Sequence, residues 1–264
     1  MDSLTALWLG IIQGVTEFLP ISSSGHLALF GAWFGLEEPD LTFDILVHTA
    51  TLAAIIFTFR QEVWATIRSA FLQPNERVPS RIIPYLILAS IPAGLVGILG
   101  KSYIAGVHAQ PIWVGVLLIL NGIMLLGGQK LSEGKRHLQE IGIAQVVVMG
   151  LAQALAVLPG ISRSGSTILA GVASDLHKES AARFSFLMAI PVIAGAELLD
   201  ARHLLKTGIP EGLILPYTIG FLAALVSGLC ALKLLMWLLK GKRFFQFGWY
   251  CLGFGGLAII LHLI

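Results

Sequence analysis

The sequence predicts an all-α integral membrane protein made of two repeats with inverted topology. Of its 264 residues, 56% are hydrophobic and only 12% are charged, whereas a soluble domain has about 25% charged residues. Six apolar stretches are long enough to span a hydrocarbon core, which needs roughly 20 apolar residues. Two shorter regions with polar centres resemble each other. These observations predict a single membrane domain, residues 1–264, with six full spans and two re-entrant hairpins.

The six predicted spans are the longest apolar stretches, at about 43–60, 82–100, 112–129, 183–200, 213–238 and 245–263. The glycine-rich runs Gly94–Gly100 and Gly253–Gly256 are expected to allow close helix packing. The first Lys or Arg is Arg60, and a signal peptide needs a basic N-terminal region. We therefore expect Met1 to begin the mature protein.

The two hairpins are predicted where apolar runs are too short to span. The run from Leu4 to Ile12 meets polar residues and Pro20, and a second run, 27–36, follows. The same pattern recurs at 143–158 and 166–173. About ten helical residues rise only about 15 Å, so each region is predicted to enter the membrane and turn back.

An internal repeat at an offset of 140 residues links these hairpins. Repeat one is predicted at about 1–130 and repeat two at about 141–264, each a hairpin followed by three spans. Five identical pairs carry the offset: Gly10 and Gly150, Gln13 and Gln153, Ser22 and Ser162, Ser24 and Ser164, Gly25 and Gly165.

The distribution of basic residues predicts the orientation, because loops rich in Lys and Arg stay in the cytoplasm. The loops after spans one, three and five, with the lead-in to span four, hold twelve basic residues, against three on the other face. Three spans per repeat then invert the second repeat and leave both termini outside. The net charge of +2 is too small to indicate nucleic-acid binding.

Both polar turns should meet in one wet pocket, because non-helical backbone inside a membrane needs surrounding protein or water. Inverted repeats commonly place such broken helices together at the midplane. The pocket is predicted to collect Gln13, Glu17, Ser22, Ser23, Ser24, His26, Ser162, Arg163, Ser164, Ser166 and Thr167.

Arg163 points to an anionic ligand. A buried arginine costs at least about 2.5–3.5 kcal/mol in a membrane, and its planar fork suits phosphate. It lies in a Ser/Gly turn that opens a short helix at about 164–166, where free N–H groups favour an anion. Arg163 is therefore predicted to bind phosphate with the neighbouring hydroxyls. A structural ion pair with Glu17 is the open alternative.

Other polar side chains of the pocket suggest chemistry. Glu17 is one helical turn after Gln13 and could bind a divalent metal, act as a general base or be a satisfied buried carboxylate. His26 is a candidate general acid or base. Ser23 is the first candidate nucleophile and Ser22 the second, and a purely phosphate-binding serine is equally compatible with the spacing.

Four further ionisable residues lie in or near the spans. Asp44 and His48 are four residues apart in the first span, and Glu197 and Asp200 lie near the end of the fourth. Ionisable groups inside a membrane are candidates for function, but near the end of a span they more often pair or contact solvent.

Three motifs resemble those of the bacterial undecaprenyl-diphosphatase (bacitracin-resistance) family. They are Gln13-Gly-Val-Thr-Glu17, Leu-Pro-Ile-Ser-Ser-Ser-Gly-His26 and Pro159-Gly-Ile-Ser-Arg-Ser-Gly-Ser-Thr167. The resemblance covers essentially the whole chain. It implies hydrolysis of undecaprenyl diphosphate to undecaprenyl phosphate, which recycles the carrier lipid for peptidoglycan synthesis and confers bacitracin resistance.

The resemblance also implies a plasma-membrane location, a pocket open to the outer side and a divalent cation, Mg²⁺ or Ca²⁺. It places Glu17, His26, Ser22, Ser23 and Arg163 on the family's functional positions. Gln13 occupies a variable Glu/Gln position, so a metal site built on two carboxylates of the first motif is in doubt here. A homodimer is compatible with these observations.

A lipid flippase or anion transporter is the alternative function, because secondary carriers share the inverted-repeat architecture. Glu17 and His26 beside Arg163 favour an enzyme. Anion transport gains little from a general acid and base, whereas cleavage of a phosphoanhydride needs charge neutralisation and proton transfer.

Overall fold

The computed structural model describes residues 1–36, 40–71, 77–132, 134–208, 212–241 and 243–263. Over these residues the chain is helical, with no strand beyond one isolated bridge between Arg136 and Leu176. The α-helices are α1 Ser3–Phe18, α2 Ser23–Trp33, α3 Leu41–Thr58, α4 Arg60–Phe71, α5 Ile82–Leu99, α6 Lys101–His108, α7 Pro111–Gly128, α8 Ile143–Leu155, α9 Arg163–Ala173, α10 Lys178–Thr207, α11 Ile214–Leu239 and α12 Phe247–Leu263.

Six helices in the described ranges are long and apolar enough to cross a membrane, which confirms the predicted number of spans. Their apolar parts are Leu41–Thr58, Ile82–Leu99, Pro111–Gly128, Lys178–Leu199, Ile214–Leu239 and Arg243–Leu263. The fourth begins at Lys178 rather than 183, because a helix can continue past its apolar part into a polar first turn.

The hairpin helices differ in length from the prediction. α1 has 16 residues instead of about ten, because Gln13 and Glu17 continue the helix. It ends at Leu19, whose extended backbone (ψ 151°) is the conformation that the following Pro20 favours. α9 begins at Arg163, so this arginine is the first helical residue rather than part of the preceding turn.

The bounds of the second hairpin helices support the predicted repeat. α2 and α9 each have 11 residues, and they begin at Ser23 and Arg163, which are 140 positions apart. The division into two repeats and their inverted orientation in the membrane stay predictions.

Close helix packing occurs where glycines face each other across two helices. A Cβ atom on Gly255 of α12 would lie 2.6 Å from the carbonyl oxygen of Gly115 in α7, so the two backbones touch. The expectation of close helix packing at the glycine-rich run 94–100 is wrong. A Cβ on Gly94 or Gly97 would meet nothing within 4 Å among the described residues, because these glycines face the outside of the helix bundle.

Candidate active site

The turn between α1 and α2 presents Ser23 at a helix N-terminus. Ser22 caps α2, and its Oγ accepts from the backbone N–H of Gly25 (3.4 Å) and of Gly160 (3.0 Å). Its φ of 68° is a left-handed conformation that costs a non-glycine residue about 1–3 kcal/mol and is typical of functional sites. The contacts from both hairpins hold Ser22 in this conformation.

The turn between α8 and α9 presents Arg163 in the equivalent way. Ser162 caps α9 by accepting from the backbone N–H of Gly165 at 3.1 Å. Gly160 has a φ of +105°, and a Cβ there would lie 2.7 Å from the Cβ of Leu117. Only glycine therefore fits this point, where the second turn crosses α7.

Both turns are joined by Asn121 of α7, a residue that the sequence analysis missed. Its Nδ2 donates to the carbonyl of Pro20 at 2.9 Å, and its Oδ1 accepts from the backbone N–H of Ser162 at 3.0 Å. Ser164 adds a bond from its Oγ to the carbonyl of Leu19 at 3.2 Å. The only sequence signal for Asn121 is its polar amide in the middle of the apolar stretch 112–129.

The side chains of both turns converge on Glu17. Arg163 Nη2 donates to Glu17 Oε1, which joins the two hairpins. Ser23 Oγ donates to Glu17 Oε2 at 2.5 Å, and Gln13 Nε2 reaches the same oxygen at 3.3 Å. The side chains of Glu17 and Arg163 are only 8% and 15% exposed, so the interaction between them is weakly screened.

The ion pair that the sequence left as an alternative is therefore present, and it leaves Arg163 with binding capacity. Arg163 Nη1 is buried and has no hydrogen-bond partner among the described residues, and the same is true of Gln13 Oε1. Buried polar atoms normally find partners. One unpaired donor and one unpaired acceptor beside Glu17 indicate a place where a polar ligand completes the site.

His26 lies next to these groups with both ring nitrogens engaged. Nδ1 is 2.8 Å from the carbonyl oxygen of Ser22, and Nε2 is 2.8 Å from the hydroxyl of Tyr250. Proton transfer to substrate by His26 stays a prediction, and this geometry offers no free nitrogen for it. Tyr250 was missed by the sequence analysis, because nothing in its local sequence sets it apart.

Comparison with known proteins decides the family. The sequence profile of the family described as bacitracin resistance protein BacA matches residues 6–257. An undecaprenyl-diphosphatase of Halothermothrix orenii is 37% identical over 99% of this chain and 98% of its own length. The undecaprenyl-diphosphatase of Pelobacter propionicus is 39% identical, with 100% and 98% covered.

The chain belongs to the BacA family. This confirms the resemblance inferred from the motifs. The motif residues of this BacA-family chain that meet in space are Gln13, Glu17 and Ser23 from the first hairpin and Arg163 from the second.

The remaining hydroxyls of the predicted site bond to groups other than the Glu17 and Arg163 side chains, either within the two turns or on a neighbouring helix. Ser24 Oγ lies 3.4 Å from Ser22 Oγ, and Ser162 Oγ lies 3.1 Å from Ser164 Oγ. Further along α9, Thr167 bonds to Ser185 of α10 at 2.6 Å and Ser166 contacts the sulfur of Met124. Thr167 Oγ1 also donates to the backbone carbonyl of Arg163 at 2.7 Å. Among the described residues, neither Ser166 nor Thr167 bonds to the side chain of Glu17 or Arg163, and their roles in phosphate binding stay predictions.

The additional ionisable residues extend the polar region along α3. His48 Nδ1 is 2.8 Å from the carbonyl of Asp44, and the imidazole interacts electrostatically with Glu17 and Glu197. The side chain of Asp200 lies outside the described residues. His108, at the end of α6, bonds to the backbone of Ser24, and burial lowers its pKa. Nothing in the local sequence marked His108.

A divalent cation fits this site only in part. No group of three or more His, Cys, Asp or Glu side chains suited to a metal occurs in the described portions of the chain. Glu17 and the unpaired Gln13 Oε1 are two neighbouring oxygen donors. Mg²⁺ is often held by one or two carboxylates together with substrate phosphates and water, so this donor set suits a cation that binds with its substrate.

Proposed function

We propose that this chain hydrolyses undecaprenyl diphosphate to undecaprenyl phosphate and inorganic phosphate. This reaction recycles the carrier lipid for cell-wall synthesis and confers resistance to bacitracin. The relatives named undecaprenyl-diphosphatase support the substrate. The observation that carries the reaction is the Ser23 hydroxyl on Glu17 beside an arginine with an unpaired nitrogen.

The terminal phosphate binds where Arg163 Nη1 lacks a partner. This buried nitrogen donates to a phosphate oxygen, while Nη2 stays on Glu17. The first turns of α2 and α9 add backbone N–H groups and the positive ends of two helices. The isoprenyl chain lies among the apolar spans, so the lipid keeps its tail in the bilayer during the reaction.

Ser23 is the nucleophile and Glu17 is its general base. The short Ser23–Glu17 bond places the proton acceptor on the hydroxyl, as nucleophilic catalysis requires. As the proton moves to Glu17 Oε2, Ser23 Oγ bonds to the terminal phosphorus. The bond from that phosphorus to the bridging oxygen breaks, and undecaprenyl phosphate leaves with its electrons. Water then attacks the phosphorus of the phosphoserine and the bond from phosphorus to Ser23 Oγ breaks. Glu17 returns its proton to Ser23 Oγ, and the protons of the water leave with inorganic phosphate and solvent.

The leaving group needs charge neutralisation more than protonation. A phosphate monoester has a second pKa of about 6, so it departs as an anion near neutral pH. Arg163 and the helix N-termini stabilise the charge that develops on the phosphate oxygens. The occupied nitrogens of His26 agree with a reaction that uses no histidine acid.

A divalent cation completes the proposal. Gln13 Oε1 would hold it together with oxygens of the diphosphate, and the Glu17 carboxylate would contribute a neighbouring negative charge. Its contribution would be to neutralise charge on the two phosphates. The unpaired Gln13 Oε1 supports this role.

The site opens to the outer side of the plasma membrane, and both termini lie outside. The excess of basic residues on one face supports which side is cytoplasmic, and two contacts support the grouping of segments at each face. Arg183 pairs with Glu62, which joins two segments predicted on the cytoplasmic face. Tyr217 donates to Asp40 at 2.6 Å, which joins the starts of two spans predicted on the outer face. A homodimer is compatible with this arrangement.

Phosphate release from a long-chain polyprenyl diphosphate in detergent tests the function. We expect the wild type to release phosphate and Ser23→Ala to lose activity by at least about 1000-fold, as nucleophile deletions do. Ser90→Ala is the matched control, because its hydroxyl bonds to its own helix at Leu86. We expect EDTA to lower activity and Mg²⁺ or Ca²⁺ to restore it.

The outcomes separate the possibilities. A Ser23→Ala variant that keeps more than about a tenth of the activity means that water attacks directly, because a deleted nucleophile costs far more. A folded wild type that releases no phosphate with any divalent cation contradicts the enzyme. Lipid or anion transport through the same pocket then becomes the leading function.

A further inference from the structure

We infer that Tyr250 is a positioning residue for the Ser22–Ser23 turn and that it acts through His26. This inference rests on the proposed hydrolysis, because the turn matters as the carrier of the nucleophile. Tyr250 lies on α12, 224 positions from His26, and belongs to none of the three motifs.

The phenol, the imidazole and a turn carbonyl form one continuous chain of hydrogen bonds. Tyr250 Oη is 2.8 Å from His26 Nε2, and His26 Nδ1 is 2.8 Å from the carbonyl oxygen of Ser22. The imidazole is only 1% exposed. The ring of Phe254 is stacked on it at 4.5 Å between centroids and 2° between planes.

The partners determine the direction of each bond. A carbonyl oxygen only accepts, so His26 Nδ1 must carry a proton. In the neutral imidazole, Nε2 then carries a lone pair and accepts from the phenol O–H of Tyr250. The surrounding aromatic rings favour this neutral form, because a buried charge without an anionic partner is costly. Tyr250 thereby keeps His26 in the tautomer that donates to Ser22.

The carbonyl of Ser22 is the point at which this chain reaches the active site. Ser22 has the left-handed φ of 68°, so its backbone orientation depends on its contacts. Its Oγ is held by Gly160 N–H from the other hairpin, and its carbonyl is held by His26. Ser23 follows directly and bonds to Glu17 at 2.5 Å, so a rotation of Ser22 would displace the nucleophile.

The test removes the phenolic oxygen and keeps the ring. In Tyr250→Phe we expect kcat to fall about three- to tenfold, which corresponds to one neutral hydrogen bond. KM should change by less than about twofold, because the turn is needed for reaction more than for lipid binding. Tyr217→Phe is the matched control. It removes another tyrosine hydroxyl bond, to Asp40, away from the turn, and should leave kcat unchanged.

A double-mutant cycle tests whether Tyr250 acts through His26. His26→Asn keeps an N–H donor near the position of Nδ1, but its side chain is too short to reach the phenol. We expect the double variant to match His26→Asn alone. A Tyr250→Phe variant with wild-type kcat would overturn the inference. So would a double variant whose fold-loss in kcat equals the product of the two single losses.

A spectroscopic measurement separates this inference from the proposed function. In protein labelled with ¹⁵N-histidine, the Nε2 resonance of His26 is identified by its loss in His26→Asn. We expect this resonance to move in Tyr250→Phe and to stay in place in Tyr217→Phe. If the wild type hydrolyses no polyprenyl diphosphate, the function fails, whereas an unmoved resonance overturns the contact of Tyr250 with His26.

Discussion

The two hairpin turns share one capping contact, although Ser22 is left-handed (φ 68°) and Ser162 is extended (φ −78°), and they carry opposite chemistry. Ser22 and Ser162 both cap a helix by accepting from the N–H three residues later. The first helical residue is Ser23 in one turn and Arg163 in the other. Glu17 in the first hairpin corresponds, at the offset of 140, to Val157 in the second. One turn thus supplies a carboxylate and a hydroxyl, and the other supplies a cation.

This difference shows why a single hairpin could not form the site. Glu17 buried alone would pay the desolvation cost of its charge, and Arg163 alone would do the same. The contact between them lowers both costs and brings the hydroxyl of Ser23 to the same carboxylate. The serine cap that occurs in both turns positions the Glu17–Arg163 pair. The residues that follow the caps, Ser23 and Arg163, differ and provide the reactivity.

After the loss expected for Ser23→Ala in the first turn, the next largest effect should come from changing the cation of the second turn. In Arg163→Lys we expect kcat/KM to fall by about 10²–10³, because an ammonium cannot donate to Glu17 and phosphate as a planar fork does. Phosphate release measures it. Arg183→Lys is the control, since Arg183 pairs with Glu62 away from the turns. Equal losses in both variants would mean that Arg163 has only a structural role.

Asn121 links the two turns. Its removal should have a smaller effect and should lower the free energy of unfolding. In Asn121→Ala the N–H of Ser162 loses its partner, and the carbonyl of Pro20 keeps only a long contact with Cys251 Sγ at 3.7 Å. We expect a loss of about 2–4 kcal/mol, because an unsatisfied buried group costs about 1–3 kcal/mol. The unfolding free energy in detergent measures this. Asn121→Asp keeps the acceptor for Ser162 and should recover part of it. A fully stable Asn121→Ala would contradict the role of this bridge.

The smallest effect compares the two caps directly. Ser22→Ala and Ser162→Ala should each lose about 1 kcal/mol of stability from the missing cap. Ser22→Ala should lose about 1 kcal/mol more, because the N–H of Gly160 then lacks its acceptor. Ser162 Oγ also contacts the other hairpin, at the carbonyl of Leu19 (3.5 Å), but that carbonyl keeps its bond from Ser164 Oγ. Thermal unfolding of both variants gives the difference. If Ser162→Ala is less stable than Ser22→Ala, the bond between Ser22 Oγ and Gly160 does not contribute the expected extra stability.

The fold was largely predictable because hydropathy is a local property. All six spans were located to within a few residues. The length of α1 was underestimated, because polarity at Gln13 and Glu17 was taken as the end of a helix. Their side chains instead face a polar site inside the protein, and the helix ends where Pro20 follows.

Motifs in the sequence identified the residue types of the site, and their pairing needed the folded chain. Glu17, Ser23 and Arg163 were predicted to share a pocket because both turns are polar and lie at membrane depth. Asn121 and Tyr250 were missed. Each lies in a mostly apolar helix. Asn121 is separated by 101 positions from its partner Pro20, and Tyr250 is separated by 224 positions from His26.

By itself, the sequence determined the helical class, the spans, the two polar hairpins and the family, since each depends on local composition or on short motifs. The tertiary structure alone decided that Arg163 keeps one unpaired nitrogen while it binds Glu17. It also decided that both nitrogens of His26 are engaged. These features depend on which helices are neighbours and on how side chains orient between them, and no local pattern in the sequence contains that information.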